Sequence, residues 1–168
     1  MYESLATDQS NEPPGLWAQG YRAEEQFVLP LLPAPGRLLD LGSGTGRYLE
    51  RLRTSGLEIV AADLVLRMLR IARARLRGRS PGPWVDLCVA EATNLPFASG
   101  SMDYTLCMGC LDLLPNRHQM LLCLQELRRV TKPMGEIICS GVIAAREMVS
   151  ASAQACLDVE TMAGFLPD

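Results

Sequence analysis

The stretch RLLDLGSGTGR, from Arg37 to Arg47, constrains the fold more than any other part of the chain. Apolar residues run into an aspartate, Asp40, and then into glycines at every second position, Gly42, Gly44 and Gly46. A short, nearly unbroken apolar run is the pattern of a strand buried on both faces. Glycines directly after it permit positive φ and let backbone approach a ligand closely. The next residues, RYLERLRTSG, carry a helical pattern that stops at Gly56. Strand, glycine turn and helix in that order open an α/β sheet rather than a bundle or a sandwich.

The rest of the chain repeats the alternation. Strands are expected at LEIVAAD (57–63), WVDLCVA (84–90), DYTLCM (103–108) and EIICSGV (136–142). Helices are expected at LWAQGYRAEEQFVLPLL (16–32), LRMLRIARARL (66–76) and NRHQMLLCLQELRRV (116–130), with Asn116 and Gln119 placed as a capping box. AREMVSASAQACLDVETMA is expected to be largely helical. Residues 1–15, with NEPPG, read as a lead-in. There is no repeat and no linker, so one domain spans 1–168: lead-in and helix over 1–35, a ligand-binding core over 36–142 and a C-terminal helical segment over 143–168. The predicted fold class is α/β, a Rossmann-like doubly wound, mainly parallel sheet of at least five strands with helices on both faces.

In such a sheet, ligands sit beyond the C-terminal strand ends where the strand order reverses. A dinucleotide site would use G-x-G-x-x-G, with its third glycine at position 47, where this chain has Arg47. No G-x-x-x-x-G-K-[ST] phosphate loop is present either. The pattern is G-x-G-x-G with an acid two residues before it. Asp63 closes the next strand 21 residues after Gly42, where a carboxylate can accept from both hydroxyls of a ribose. The third strand also ends at an acid, Glu91. Acids around the turn repel a pyrophosphate but tolerate a cationic ligand.

LLDLGSGTG, IVAADL, VAEATNLPFASGSMDYTLCM and LDLLPN…LQELRRVTKPMGEIICSG are collinear and correctly spaced. Over residues 36–142 they resemble class I S-adenosylmethionine-dependent methyltransferases, in particular the small-molecule group that includes the ubiquinone/menaquinone-biosynthesis enzymes. The resemblance implies S-adenosyl-L-methionine as cofactor and methyl transfer to a small-molecule acceptor. It implies Asp40 facing the amino end of the methionine moiety, and Gly42, Ser43 and Gly44 bringing backbone against methionine and ribose. It further implies Asp63 on the ribose hydroxyls, Leu64 packed on the adenine, and Glu91 and Ala92 along the adenine edge. Cys107 and Met108 would lie near the methionine carboxylate and the sulfonium. No metal and no catalytic residue is implied.

Other features take blander readings. His118, the only histidine, opens a helix and reads as solvated. Asp112 falls where relatives often carry histidine, and is either a residue touching substrate or a loop carboxylate or cap, the second being favoured. Tyr21 is either a residue closing over the site or an ordinary face residue. CMGC (107–110) is a C-x-x-C without a second ligand pair or a thioredoxin-like context, so a small buried strand end is expected. Arg67, Arg70, Arg73, Arg75, Arg77 and Arg79 form a basic run without interleaved aromatics, which reads as a solvated helix face. Net charge is −3, which does not favour nucleic acid. No apolar run approaches the roughly 20 residues of a membrane span. No signal peptide is recognisable, and six cysteines without one suggest reduced thiols in the cytoplasm.

Two departures from the family pattern carry expectations. KPMGE replaces the usual Pro-Gly-Gly. A type II turn from Lys132 would put Met134 at positive φ at a cost of about 1–2 kcal/mol, so a different turn type is expected there, with little effect on the cofactor site. The family's last two strands are expected to be absent, leaving 136–142 as an exposed edge. That edge could pair in a homodimer or with a partner subunit, and a catalytically silent subunit of that kind is the alternative reading. An NAD-type dehydrogenase is disfavoured by the spacing at Arg47.

Overall fold

The computed structural model of the protein describes Gln26 and residues 28–32, 35–77 and 85–140. Five strands form one sheet: β1 (Arg37–Leu41), β2 (Glu58–Asp63), β3 (Val85–Val89), β4 (Met102–Met108) and β5 (Thr131–Ser140). The α-helices given in full among the described residues are α1 (Leu49–Leu52), α2 (Leu66–Leu76) and α3 (Arg117–Val130). Short 3₁₀ turns lie at Leu29–Leu31 and Leu111–Leu113. The strand order is β3-β2-β1-β4-β5, and every pairing is parallel. The order reverses between β1 and β4, so the crevice for a ligand lies beyond Leu41 and Met108.

Alternation along the strands sends side chains to two cores. Leu39, Leu41, Val60, Ala62, Met102 and Cys107 pack with Cys123, Leu124, Leu127 and Val130 of α3. On the other face Leu38, Ile59, Ala61, Leu106 and Ile138 pack with Leu49 and Leu52 of α1 and Ala72 of α2. Val28 and Leu32, just before the sheet, join this second cluster. Covering both faces is what lets short apolar strands run parallel.

Most elements match the sequence expectations, and the differences have local causes. The helix expected from Arg47 shrinks to Leu49–Leu52. The glycine turn occupies its start, and the hydroxyls of Thr54 and Ser55 donate to the carbonyls of Arg51 and Leu52, ending it early. Gly56, at φ 83°, completes the stop. The capping expectation at α3 holds for one arm: Asn116 Oδ1 accepts from the Gln119 N–H at 3.0 Å. The last strand begins at Thr131 rather than Glu136. In place of the turn expected at KPMG, β5 bulges between the pairs Met102↔Thr131 and Tyr104↔Glu136 and carries those residues outside the ladder. No non-glycine residue described has positive φ, and Met134 is 96% exposed on the bulge. A Cβ at Gly135 would lie 2.6 Å from the Asp103 carbonyl oxygen, so close backbone approach accounts for that glycine. Among the described residues β5 pairs with β4 alone, on one side of the sheet. The expected helix over 16–32 is described only at its end, where Gln26 and Val28 are helical and Leu29–Leu31 tightens into the 3₁₀ turn. The expectations for residues 1–25 and 143–168, including Tyr21, lie outside the described residues. No described helix is long and apolar enough to cross a membrane.

Candidate functional site

β1 delivers Asp40 to the switch point, where it is 2% exposed. Its Oδ2 is buried and has no hydrogen-bond partner. Burial raises its carboxyl to about 7, with the Arg47 guanidinium opposing and the Asp63 carboxylate adding to the rise. Ser43 Oγ, three residues on, is likewise buried without a partner. Two orphaned buried oxygens beside one turn are what a bound donor group would satisfy.

The glycines do three different things. Gly42, Gly44 and Gly46 take φ of 73°, 55° and 79°. A Cβ at Gly42 would lie 2.7 Å from Cys110 Cβ, and one at Gly46 would lie 2.9 Å from Ala72 Cβ. Those two glycines allow the turn to sit on Cys110 and on α2. A Cβ at Gly44 would meet nothing nearer than the Gly42 carbonyl oxygen at 3.9 Å. Gly44 therefore leaves the turn open on that side, as ligand approach requires.

β2 holds the turn in place. The Gly42 and Ser43 N–H groups donate to the Ala62 carbonyl at 2.8 and 3.1 Å. Asp63 Oδ2 accepts from the Gly44 N–H at 2.9 Å, and Oδ1 accepts from the Val65 N–H at 2.8 Å. Each carboxylate oxygen keeps a lone pair for a further donor. Asp63 pairs in register with Val89 of β3. Leu64 and Val89 are 63% and 51% exposed, so apolar side chains flank Asp63 at the open strand ends. Beyond β3, Glu91 is exposed, accepts from Thr93 Oγ1 at 2.9 Å and bridges to Asn94, while Ala92 is buried.

The sheet thus brings Asp40, Gly42, Ser43, Gly44, Asp63 and Leu64 to one end, with Glu91 and Ala92 following β3 and Met108 closing β4. Cys107 differs: its side chain is fully buried in the α3-side core, so only its backbone faces the crevice end. Asp112 and His118 are exposed, in the 3₁₀ turn and the first turn of α3. On α2, Arg67, Arg70 and Arg73 are exposed and Arg75 is half-buried; Arg77, just past it, is exposed, and Arg79 lies outside the described residues. Among the described residues no group of three or more His, Cys, Asp or Glu is arranged to hold a metal ion.

Sequence reasoning missed four contributors. Cys110 backs the turn at Gly42; its only sequence signal was its place in CMGC. Arg47 stands over the Tyr48 ring at 4.6 Å and acts electrostatically on Asp40. Glu126 and Arg129 of α3 grip the segment after Ala92: Glu126 Oε2 accepts from the Leu95 N–H at 2.6 Å, and Arg129 donates to the carbonyls of Leu95 and Phe97 at 2.9 and 2.7 Å. Their i,i+3 spacing was visible, but their loop partners were not.

Comparison with known proteins agrees with this geometry. Residues 39–139 match a family described as "Methyltransferase domain". The demethylmenaquinone methyltransferase of Paenarthrobacter aurescens (strain TC1) is 36% identical over 103 residues, covering 61% of this chain and 37% of that protein. A protein of Pyrococcus horikoshii OT3 superposes with a TM-score of 0.69 at 25% identity, covering 80% of this chain and 60% of that one. A SAM-dependent methyltransferase of Thermotoga maritima superposes with a TM-score of 0.55 at 31% identity, covering 71% and 50%. The chain spans less than half the length of the first curated relatives it matches. With the strand order, the glycine turn and the matched span together, the chain belongs to the methyltransferase domain family, among the class I S-adenosylmethionine-dependent methyltransferases.

Proposed function

We propose that this chain binds S-adenosyl-L-methionine at the glycine turn and transfers its methyl group to a small-molecule acceptor. The observation that carries the reading is the pair of buried, unpartnered oxygens, Asp40 Oδ2 and Ser43 Oγ, beside an open Gly44. An ammonium group would satisfy both oxygens and compensate the buried carboxylate. A phosphate would meet Asp40 and Asp63 instead, and like charges in a poorly solvated turn repel.

The other residues take roles consistent with their positions. Gly42 and Gly44 admit the methionine moiety and ribose against backbone. Asp63 uses its remaining lone pairs for the ribose hydroxyls, while its two backbone bonds keep the carboxylate oriented. Leu64 packs on the adenine, and Glu91 and Ala92 border its edge. Cys107, through its backbone, and Met108 line the methionine end. The cofactor supplies an electrophilic methyl group on a positively charged sulfur. The protein's part is to hold that end fixed and to position an acceptor in line with it. No residue of the chain is assigned as a general base, which is needed only if the acceptor arrives protonated. The likeness to demethylmenaquinone methyltransferases over the cofactor-binding half supports a quinol-like or other small acceptor.

The test is to incubate the protein with methyl-labelled S-adenosylmethionine and a panel of small quinols, phenols and amines. Label transfer to at least one acceptor, lost in Asp63→Ala, is expected. Cofactor binding without transfer to any acceptor class would count against the activity and favour a silent subunit.

A further inference from the structure

Four cysteines meet behind the glycine turn. Cys107 of β4 pairs in register with Cys139 of β5, and Cys123 reaches the same core from α3. Cys110 and Cys139 pack against the core cluster that holds Cys107 and Cys123, and all four are free thiols. Cys110 follows β4 across a turn at Gly109, whose φ is 66°. Cys110 is only half-buried, whereas Cys107 is fully buried. Cys110 is also the residue that Gly42 rests on: its Cβ and Sγ lie 2.7 and 3.0 Å from where a Gly42 Cβ would be. Cys110 therefore packs against the cluster that holds Cys107 on one side and against the proposed cofactor turn on the other.

We propose that Cys107 and Cys110 form a reversible disulfide by exchange with a low-molecular-weight disulfide such as oxidised glutathione, and that this bond weakens cofactor binding. The binding half of the proposal rests on the cofactor reading above. Cys110, the more accessible thiol, reacts first. Its thiolate attacks the small disulfide, forms a mixed disulfide and releases one small thiol. Cys107 then gives up its proton and attacks the Cys110 sulfur; the bond to the small thiol breaks and a second small thiol leaves. Two protein thiols are oxidised and one disulfide is reduced to two thiols. The hydrogen bond from Cys107 lowers the Cys110 thiol, against burial and the carboxylates of Asp63, Asp40 and Asp112, which favours Cys110 as the attacking partner. The bond draws the Cys110 sulfur toward Cys107 and removes the surface that backs Gly42.

The experiment treats the full chain with oxidised glutathione, maps disulfides by peptide mass spectrometry, and titrates S-adenosylhomocysteine before and after treatment. A Cys107–Cys110 bond reversed by reductant, with affinity falling at least tenfold on oxidation and returning on reduction, is expected. In Cys107→Ala the oxidant should leave only a glutathione adduct on Cys110 and no intramolecular bond; if that variant does not fold, Cys110→Ala should show no bond at Cys107. Pairing of either residue with Cys156, adducts without the Cys107–Cys110 bond, or a mapped bond with unchanged affinity would overturn the proposal. If the reduced protein fails to bind S-adenosylhomocysteine, the cofactor reading falls and takes the regulatory half with it, while the mapping still decides the bond.

Discussion

Burial raises the Asp40 carboxyl from 3.8 to about 7, and this has opposite consequences for the empty fold and for binding. Between those values the folded state holds a proton that the unfolded chain has released. Asp40 therefore favours folding at low pH, and that contribution is lost as pH rises through about 7. Asp103 and Glu126 have the opposite sign: Lys132 and Arg129 hold their carboxyls low, so their contributions fade only as pH falls into the acid range. Urea unfolding from pH 5 to pH 8 should show the ligand-free protein losing on the order of 2 kcal/mol, with Asp40→Asn flattening the loss. An unchanged slope in the variant would remove Asp40 as its source. Affinity for a cationic ligand should rise over the same interval in the parent and stay flat in Asp40→Asn. Gly42 makes a second prediction. Gly42→Ala combines positive φ with a contact 2.7 Å from Cys110 Cβ. It should cost on the order of 2 kcal/mol or more in urea unfolding, and a neutral result would mean that the turn readily shifts. Asp40, Gly42, Gly44 and Asp63 were legible from the sequence because strand ends and glycine spacing are local signals. Cys110 and Arg47 were not, because their roles depend on which side of the turn they reach.

The α3 grip on the 95–97 segment shows how one element positions another. Glu126 and Arg129 form an ion pair at 2.6 Å and together engage both backbone groups of Leu95 and the carbonyl of Phe97. That fixes the loop leading away from Glu91 and Ala92. Glu126→Ala should cost about 1–2 kcal/mol of stability, speed amide exchange in residues 91–97 and weaken cofactor binding although Glu126 touches no proposed ligand atom. Unaltered exchange in that segment would mean that the loop is held by its own turn. The elements themselves were largely readable: α2 falls at the residues its apolar spacing predicts, and β1 matches its apolar run. Element ends were less so. α1 ends early because two hydroxyls compete for its carbonyls, and β5 starts early because a bulge absorbs KPMG. Neither competition has a sequence period.

Across the molecule, a parallel sheet covered on both faces follows from alternating strands and helices, which is why the fold class could be derived before any coordinates, whereas the strand order β3-β2-β1-β4-β5 could not. The acceptor could not, because no described side chain near the crevice encodes its chemistry. The central claim is that the turn between Asp40 and Asp63 holds the methionine and ribose of S-adenosylmethionine. Calorimetric titration with S-adenosylhomocysteine at pH 8, for the parent and for Asp63→Ala shown to be folded by circular dichroism, tests it most directly. Micromolar binding by the parent, weakened at least tenfold in the variant, is the expected result. A folded parent that does not bind, or a variant that binds as the parent does, would contradict it.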